Sequence, residues 1–193
     1  MSQSVLLNIA RKSIEEVLRA ERLIDVPKYI EENHVLSQHI ASFVNIYLDD
    51  ELRGSSGTIR AKKTLIDDII YNAKIAAFET SNVEPLKSSE YLSCVIEVTL
   101  LSPLQKIDFS NYSELKKLIT QNRDGIFLTH NNKNYFYLPN SWGLFKSKDE
   151  FLTALVGGDL SIFDKECEAY IFEAQSAHDE PIINDDFEAI VAS

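Results

Sequence analysis

The chain has 193 residues, 45% hydrophobic and 10% aromatic, the composition of a globular protein with enough apolar material for a substantial core in one domain or one domain with a lobe. Thirty acidic against nineteen basic side chains give a formal net charge of -11, which repels phosphate backbones and disfavours nucleic acid as a partner. No run approaches the roughly 20 apolar residues that span a bilayer, the N-terminus lacks a secretion signal, and Cys94 and Cys167 fit neither a CxxC spacing nor a disulfide framework. These features exclude a disulfide-built secreted scaffold and lead us to expect a cytoplasmic, reducing setting with no membrane partner.

Leu7, Ala10, Ile14, Val17 and Leu18 recur at steps of three or four, with Arg11, Glu15 and Arg19 between them, which predicts an amphipathic helix from Ser4 to Ala20. A polar stretch with Pro27 follows and runs to His39, and Ala41 to Leu48 then reads as a strand rich in β-branched and aromatic residues. Asp49-Asp50 turns the chain into Glu51-Leu52-Arg53, so that Gly54-Ser55-Ser56-Gly57, closed by Thr58, is expected as a loop ending the second arm of a hairpin. Two glycines three apart allow positive φ or close approach to another surface, and the two serines add hydroxyls at the bend. Thr64 is the expected cap of a helix from Leu65 to Phe78, which sets the loop between a strand and a helix, where sites often form.

Tyr91 to Leu101 is the strongest strand signal, ended by Ser102-Pro103. A helix is predicted from Tyr112 to Thr120, then a hairpin of Gly125–Thr129 and Tyr135–Leu138 about an Asn131-Asn132-Lys133-Asn134 turn. Lys148 to Val156 reads as a helix stopped by Gly157-Gly158, and Ala169 to Ala174 as a last strand. Strands and helices do not alternate regularly, which predicts an α+β fold, mainly antiparallel sheet flanked by helices. Asp179, Glu180, Asp185, Asp186 and Glu188 face no Lys or Arg, so residues 177–193 are expected to be an acidic tail, solvated or docked through Ile182, Ile183, Phe187, Ile190 and Val191.

The chemistry centres on the loop. Its amides, Thr58 and Arg53 suit an anion or a partner surface, but it lacks the Gly-Lys-Ser/Thr ending of a P-loop and so carries no nucleotide specificity. Ser55 as a nucleophile needs a base, and neither a Gly-x-Ser-x-Gly elbow nor a histidine in a hydrolase motif supplies one; the other reading is a turn residue whose hydroxyl satisfies local backbone. Glu97 lies among apolar strand neighbours, which leaves three readings: an ion pair with Arg53, an exposed stripe with Thr99, or a general acid or base. His34 and His39 do not share a helical face, and His130 and His178 have no ligand-like neighbours, so we expect no metal site. No cofactor is predicted. Trp142 reads as a packing anchor or as an aromatic that stacks on a ligand beside a cleft.

Several motifs fall in one order: Ala10-Arg11-Lys12-Ser13-Ile14, Phe43-Val44, Leu52-Arg53-Gly54, Asn72-Ala73 with Ala76-Ala77-Phe78, Pro85-Leu86, Ile96-Glu97-Val98 with Leu101-Ser102-Pro103, Asp124-Gly125, and Leu138-Pro139 with Trp142. On these residues the chain resembles the AMMECR-type domain family, also called AmmeMemoRadiSam system protein A, over roughly Leu6 to Ala174. Ser55 stands where that family usually has Cys and Ser56 where it has Ile, and Glu79 to Val83 lacks the family's Asp and Arg-Phe elements. The resemblance implies two unequal subdomains within a single domain over 4–176 and a cleft near the signature. It also implies membership in a system with a Memo-like protein and a radical S-adenosylmethionine enzyme. The candidate binding residues are then Arg53, Gly54, Ser55, Ser56, Gly57, Thr58, Asn72 and Trp142, and the candidate catalytic residues Glu97 and Ser55. Should the family's Cys act through sulfur, this chain is inactive or works differently. The expected role is an accessory or recognition subunit. The alternatives are an enzyme using Arg53 as anion clamp and Glu97 as acid or base, and a non-catalytic interaction protein.

Overall fold

Ser2 accepts the Ser4 amide and starts α1 (Gln3–Arg19), which Ala20 ends in a left-handed conformation. The protein is seen here in a computed structural model that describes residues 2–81, 83–164 and 167–182. Leu6, Ile9, Ala10 and Ile14 form the buried face of α1, and the buried Ser13 hydroxyl is satisfied by the Ile9 carbonyl at 2.6 Å. The polar stretch before His39, to which the sequence reading gave no element, holds α2 (Val26–Glu32), capped by Asp25 with Pro27 in its first turn, and a 3-10 turn over His34–Ser37. The apolar residues of α2, Val26, Tyr29 and Ile30, do follow a helical spacing, but over a single turn among charged neighbours, and they pack half-buried against the core.

Among the described residues the strands form two four-stranded sheets. The first has the order β2 (Glu51–Gly57), β1 (Ser42–Leu48), β3 (Val95–Leu101), β8 (Ala174–His178). Here the expected loop is corrected, because Gly54 to Gly57 is strand and pairs with β1 through Ile46↔Gly54, Asn45↔Ser55, Val44↔Ser56 and Phe43↔Gly57. Glycine and serine are poor strand formers, and packing overrides that preference. A Cβ on Gly54 would lie 2.0 Å from the Ala76 carbonyl oxygen of α3 (Leu65–Phe78), and one on Gly57 would lie 2.0 Å from the Phe43 ring. Close approach, rather than positive φ, is what these glycines supply. Positive φ falls instead on Asp49 and Asp50, which make the tight turn between β1 and β2. A bulge between Ile46 and Tyr47 leaves Arg53 outside the paired register.

Val44, Ile46, Ile96 and Val98 meet the buried faces of α1 and α3, each contributing roughly 1.5–3 kcal/mol by burial. The strand β3 begins later than expected: Tyr91 belongs to α4 (Ser88–Ser93). The chain divides into two units; residues up to Leu100 and the segment returning at Gln175 make the first, and Leu101–Ala174 makes the second.

In the second unit the order is β4 (Gln105–Ile107), β7 (Glu168–Phe172), β5 (Gly125–His130), β6 (Lys133–Tyr137), with α5 (Tyr112–Leu118), a 3-10 turn at Pro139–Leu144 and α6 (Lys148–Leu155). The predicted hairpin is β5 and β6, turned at Asn131 and Asn132 with positive φ, and Gly157 and Gly158 end α6 the same way. Trp142 is buried in this unit's core, stacked on Phe151 at 3.6 Å with its Nε1 donating to the Asp124 carbonyl. The segment expected to be tail from residue 177 continues instead as strand through His178. Asp179 then bonds to Ile96, and the Ile182 amide donates to the Leu92 carbonyl. Ile183, Asp185, Asp186, Phe187, Glu188, Ile190 and Val191 lie outside the described residues.

Candidate functional site

Successive residues of β2 point to opposite sides of the first sheet, so Ser55 and Ser56 enter two different networks. On the helix side, the buried Asp68 carboxylate of α3 accepts the Ser42 amide (2.9 Å) and hydroxyl (2.7 Å), the Thr58 hydroxyl (2.8 Å) and the Asn72 amide (3.1 Å). Ser56 donates to Asn72 Oδ1 at 2.9 Å, and Asn72 is 1% exposed. Ser56, Thr58 and Asn72 thus tie the signature strand to α3, and every polar group there has a partner.

The other side is more open. Ser55 donates to Asn45 Oδ1 at 2.6 Å, and Asn45 Nδ2 donates to Glu97 Oε1 at 2.9 Å. The three residues stand in line because Asn45 of β1 lies opposite both Ser55 of β2 and Glu97 of β3. Asn45 Nδ2 also approaches the Tyr47 hydroxyl at 3.4 Å, and burial, followed by the Glu97 charge, pushes that phenol above its ordinary 10.0. Glu97 and Tyr47 line a cleft of about 440 Å³ whose other walls include Asp49 and Asp50 of the turn and His178 and Pro181 of the returning segment. Among the described residues Glu97 Oε2 takes no hydrogen bond and no ion pair.

The His178 wall is held from behind by Arg11 of α1. Its guanidinium grips Asp179 with two bonds of 2.6 and 3.0 Å and donates to the carbonyls of Tyr91 and Cys94. Burial pulls Arg11 down, but the Asp179 bond and neighbouring charges outweigh it, so the guanidinium is held above its usual range. The Cys94 thiol is pushed up by burial, and Tyr91 is pushed up to about 12, burial again leading. The sequence signalled only an amphipathic helix at Arg11 and an acidic tail at Asp179; nothing in the spacing joined them.

Arg53 and Glu97 do not pair. The Arg53 guanidinium holds the Glu90 carboxylate through Nε (3.0 Å) and Nη2 (3.1 Å) and donates to the Glu84 carbonyl, which keeps the Glu90 carboxyl below its ordinary 4.5. The bulge turns Arg53 out of the row that Glu97 occupies. Of the sequence candidates, Glu97 alone lines the cleft, and Ser55 is joined to it through Asn45 on the same side of the sheet. Gly54 sits under α3, Gly57 under Phe43, and Asn72 and Trp142 lie in cores. Asn45, Tyr47 and His178 were missed as site residues; the alternation of β1 could have paired Asn45 with Tyr47, and His178 carried no signal. A larger groove of about 670 Å³ runs past the end of α1, with Glu16, Arg22, Asp25 and Lys74 among its walls; Glu16 and Lys74 bond to each other there, and neither this groove nor the Glu97 cleft is lined by a residue of the stretch 52–57. Among the described residues no three His, Cys, Asp or Glu side chains are placed to share a metal ion, and no helix is long and apolar enough to cross a membrane.

The AMMECR1 family model matches residues 7–177. A protein of Methanothermobacter thermautotrophicus is 29% identical over 182 residues, which cover 91% of this chain and 93% of that one. A protein of Saccharolobus solfataricus is 33% identical over 128 residues, 64% of this chain and 55% of the relative, so this chain spans about half of that protein's length. The crystal structure of an uncharacterised protein from Pyrococcus horikoshii matches with a TM-score of 0.78 at 25% identity over 91% of each chain. The matched span takes in the signature strand, the Glu97 strand, the whole of the second unit and most of the first, and on that breadth the chain belongs to the AMMECR1 family.

Proposed function

We propose that this chain is an accessory or recognition subunit of a modification system that includes a Memo-like protein and a radical S-adenosylmethionine enzyme, and that it presents the Glu97 cleft to a partner or substrate. One observation carries the choice of recognition over catalysis. The Ser55 hydroxyl, at the position where the family resemblance puts a thiol, donates to a carboxamide oxygen, and an amide cannot take its proton as a base would. Glu97 and Tyr47 remain open to bind a partner.

The test is reconstitution of the purified full chain with a Memo-like protein and a radical S-adenosylmethionine enzyme from its own host, wild type against Glu97→Gln. Recognition predicts stable retention by the wild type, loss of retention in the variant, and no turnover by the chain alone. Saturable turnover by the isolated chain, abolished in Glu97→Gln, would reverse the assignment. That second reading has its own support, since Glu97 has an oxygen without a partner among the described residues and lines, with the Tyr47 phenol, a cleft large enough for a small substrate.

A further inference from the structure

The cleft reading leaves open why a serine stands at position 55, and this inference rests on that reading. Asn45 is 8% exposed, so both ends of its carboxamide must be satisfied within the protein. The group has two orientations, related by a half-turn about its last torsion. In the observed one, oxygen meets the Ser55 hydroxyl and nitrogen meets the Glu97 carboxylate. In the other, the carboxamide oxygen would face a carboxylate oxygen, and two acceptors at hydrogen-bonding separation repel. A carboxylate on one side of Asn45 therefore demands a donor on the other, and the residue directly opposite on β2 is Ser55. A hydroxyl donates as readily as it accepts. Alanine offers nothing, and a thiol is a weak donor.

We propose that Ser55 is a positioning residue: its hydroxyl locks the Asn45 carboxamide, and the locked amide pins Glu97 Oε1, leaving Oε2 for whatever enters the cleft. It is neither a nucleophile nor a turn residue. Ser56, one residue on, serves the opposite side of the sheet through Asn72 and takes no part.

The test is NMR on the purified full chain, free of any partner, following water exchange of the Asn45 side-chain amide with that of Asn72 as an internal control. Ser55→Ala should speed exchange at Asn45 by about tenfold, the factor set by one hydrogen bond of ordinary strength, and leave Asn72 unchanged. Ser55→Thr, which keeps the hydroxyl, should restore the slow rate. If Ser55→Ala leaves Asn45 within about twofold of wild type, or speeds Asn45 and Asn72 alike, the hydroxyl contributes only general stability and the proposal is overturned. No partner is needed for this measurement. A chain that retains no partner in reconstitution therefore sinks the recognition reading without touching the Ser55 result.

Discussion

Ser55 and Ser56 are adjacent in sequence and alike in chemistry, yet they belong to opposite kinds of environment. Ser56 enters a buried network in which a single carboxylate, Asp68, satisfies four donors from β1, the end of β2 and α3. Ser55 enters a chain that ends at Glu97, whose second oxygen has no partner among the described residues. A saturated polar network fixes strand to helix, whereas a half-saturated one keeps binding capacity at some cost in rigidity. Both serines were candidate binding residues in the sequence, and the count of satisfied groups is what separates them.

The sharpest way to break this contrast is to remove each carboxylate. Asp68→Ala should cost about 4 kcal/mol in urea unfolding, because it strands buried donors, while Glu97→Gln should change stability by no more than about 0.5 kcal/mol. Equal losses would mean that the two sides of the sheet do not differ as argued. Gly54→Ala comes next, at about 3 kcal/mol by the same measurement, since the new methyl meets the backbone of α3 rather than a side chain that can swing away. A neutral result would show that the strand and α3 can part without loss.

The smallest effect belongs to the Arg53–Glu90 pair, at the bulge outside both networks. Glu90 has its carboxyl lowered by Arg53, so its contribution is present above the unfolded value near 4.5 and is lost as pH falls through the folded value. Arg53→Met should lower the thermal midpoint by about 1–2 °C at neutral pH, with the difference from wild type closing on the acid side. A difference that persists in acid would assign Arg53 a packing role instead.

Much of the fold was readable in advance because it rests on local signals. The period of α1, the Thr64 cap of α3, the asparagine turn between β5 and β6 and the Gly157-Gly158 stop all came from spacing or from residues with strong backbone preferences. The helix α2 was missed because it is seven residues long and its apolar set, Val26, Tyr29 and Ile30, is only half-buried, and β8 because its strand residues, Ala174 to His178, include just one buried side chain, Ala177. At the site, sequence singled out Ser55, Arg53 and Glu97, and of its three readings for Glu97 the ion pair with Arg53 does not hold. Arg53 and Glu97 looked complementary by charge, and a bulge that no residue type announced turned Arg53 toward Glu90.

The sequence by itself determined the family and the α+β class, since family motifs and apolar periods are properties of the chain, and it drew attention to the stretch around Arg53 to Thr58. Tertiary structure alone decided that this stretch is a strand, that its two serines serve opposite sides, and that Glu97 answers to Asn45 and Ser55. The reason is physical: strand register, bulges and the closeness of a helix to a glycine arise from pairing between segments far apart in the chain, and residues 11, 55, 97 and 179 carry no local record of the partners that packing gives them.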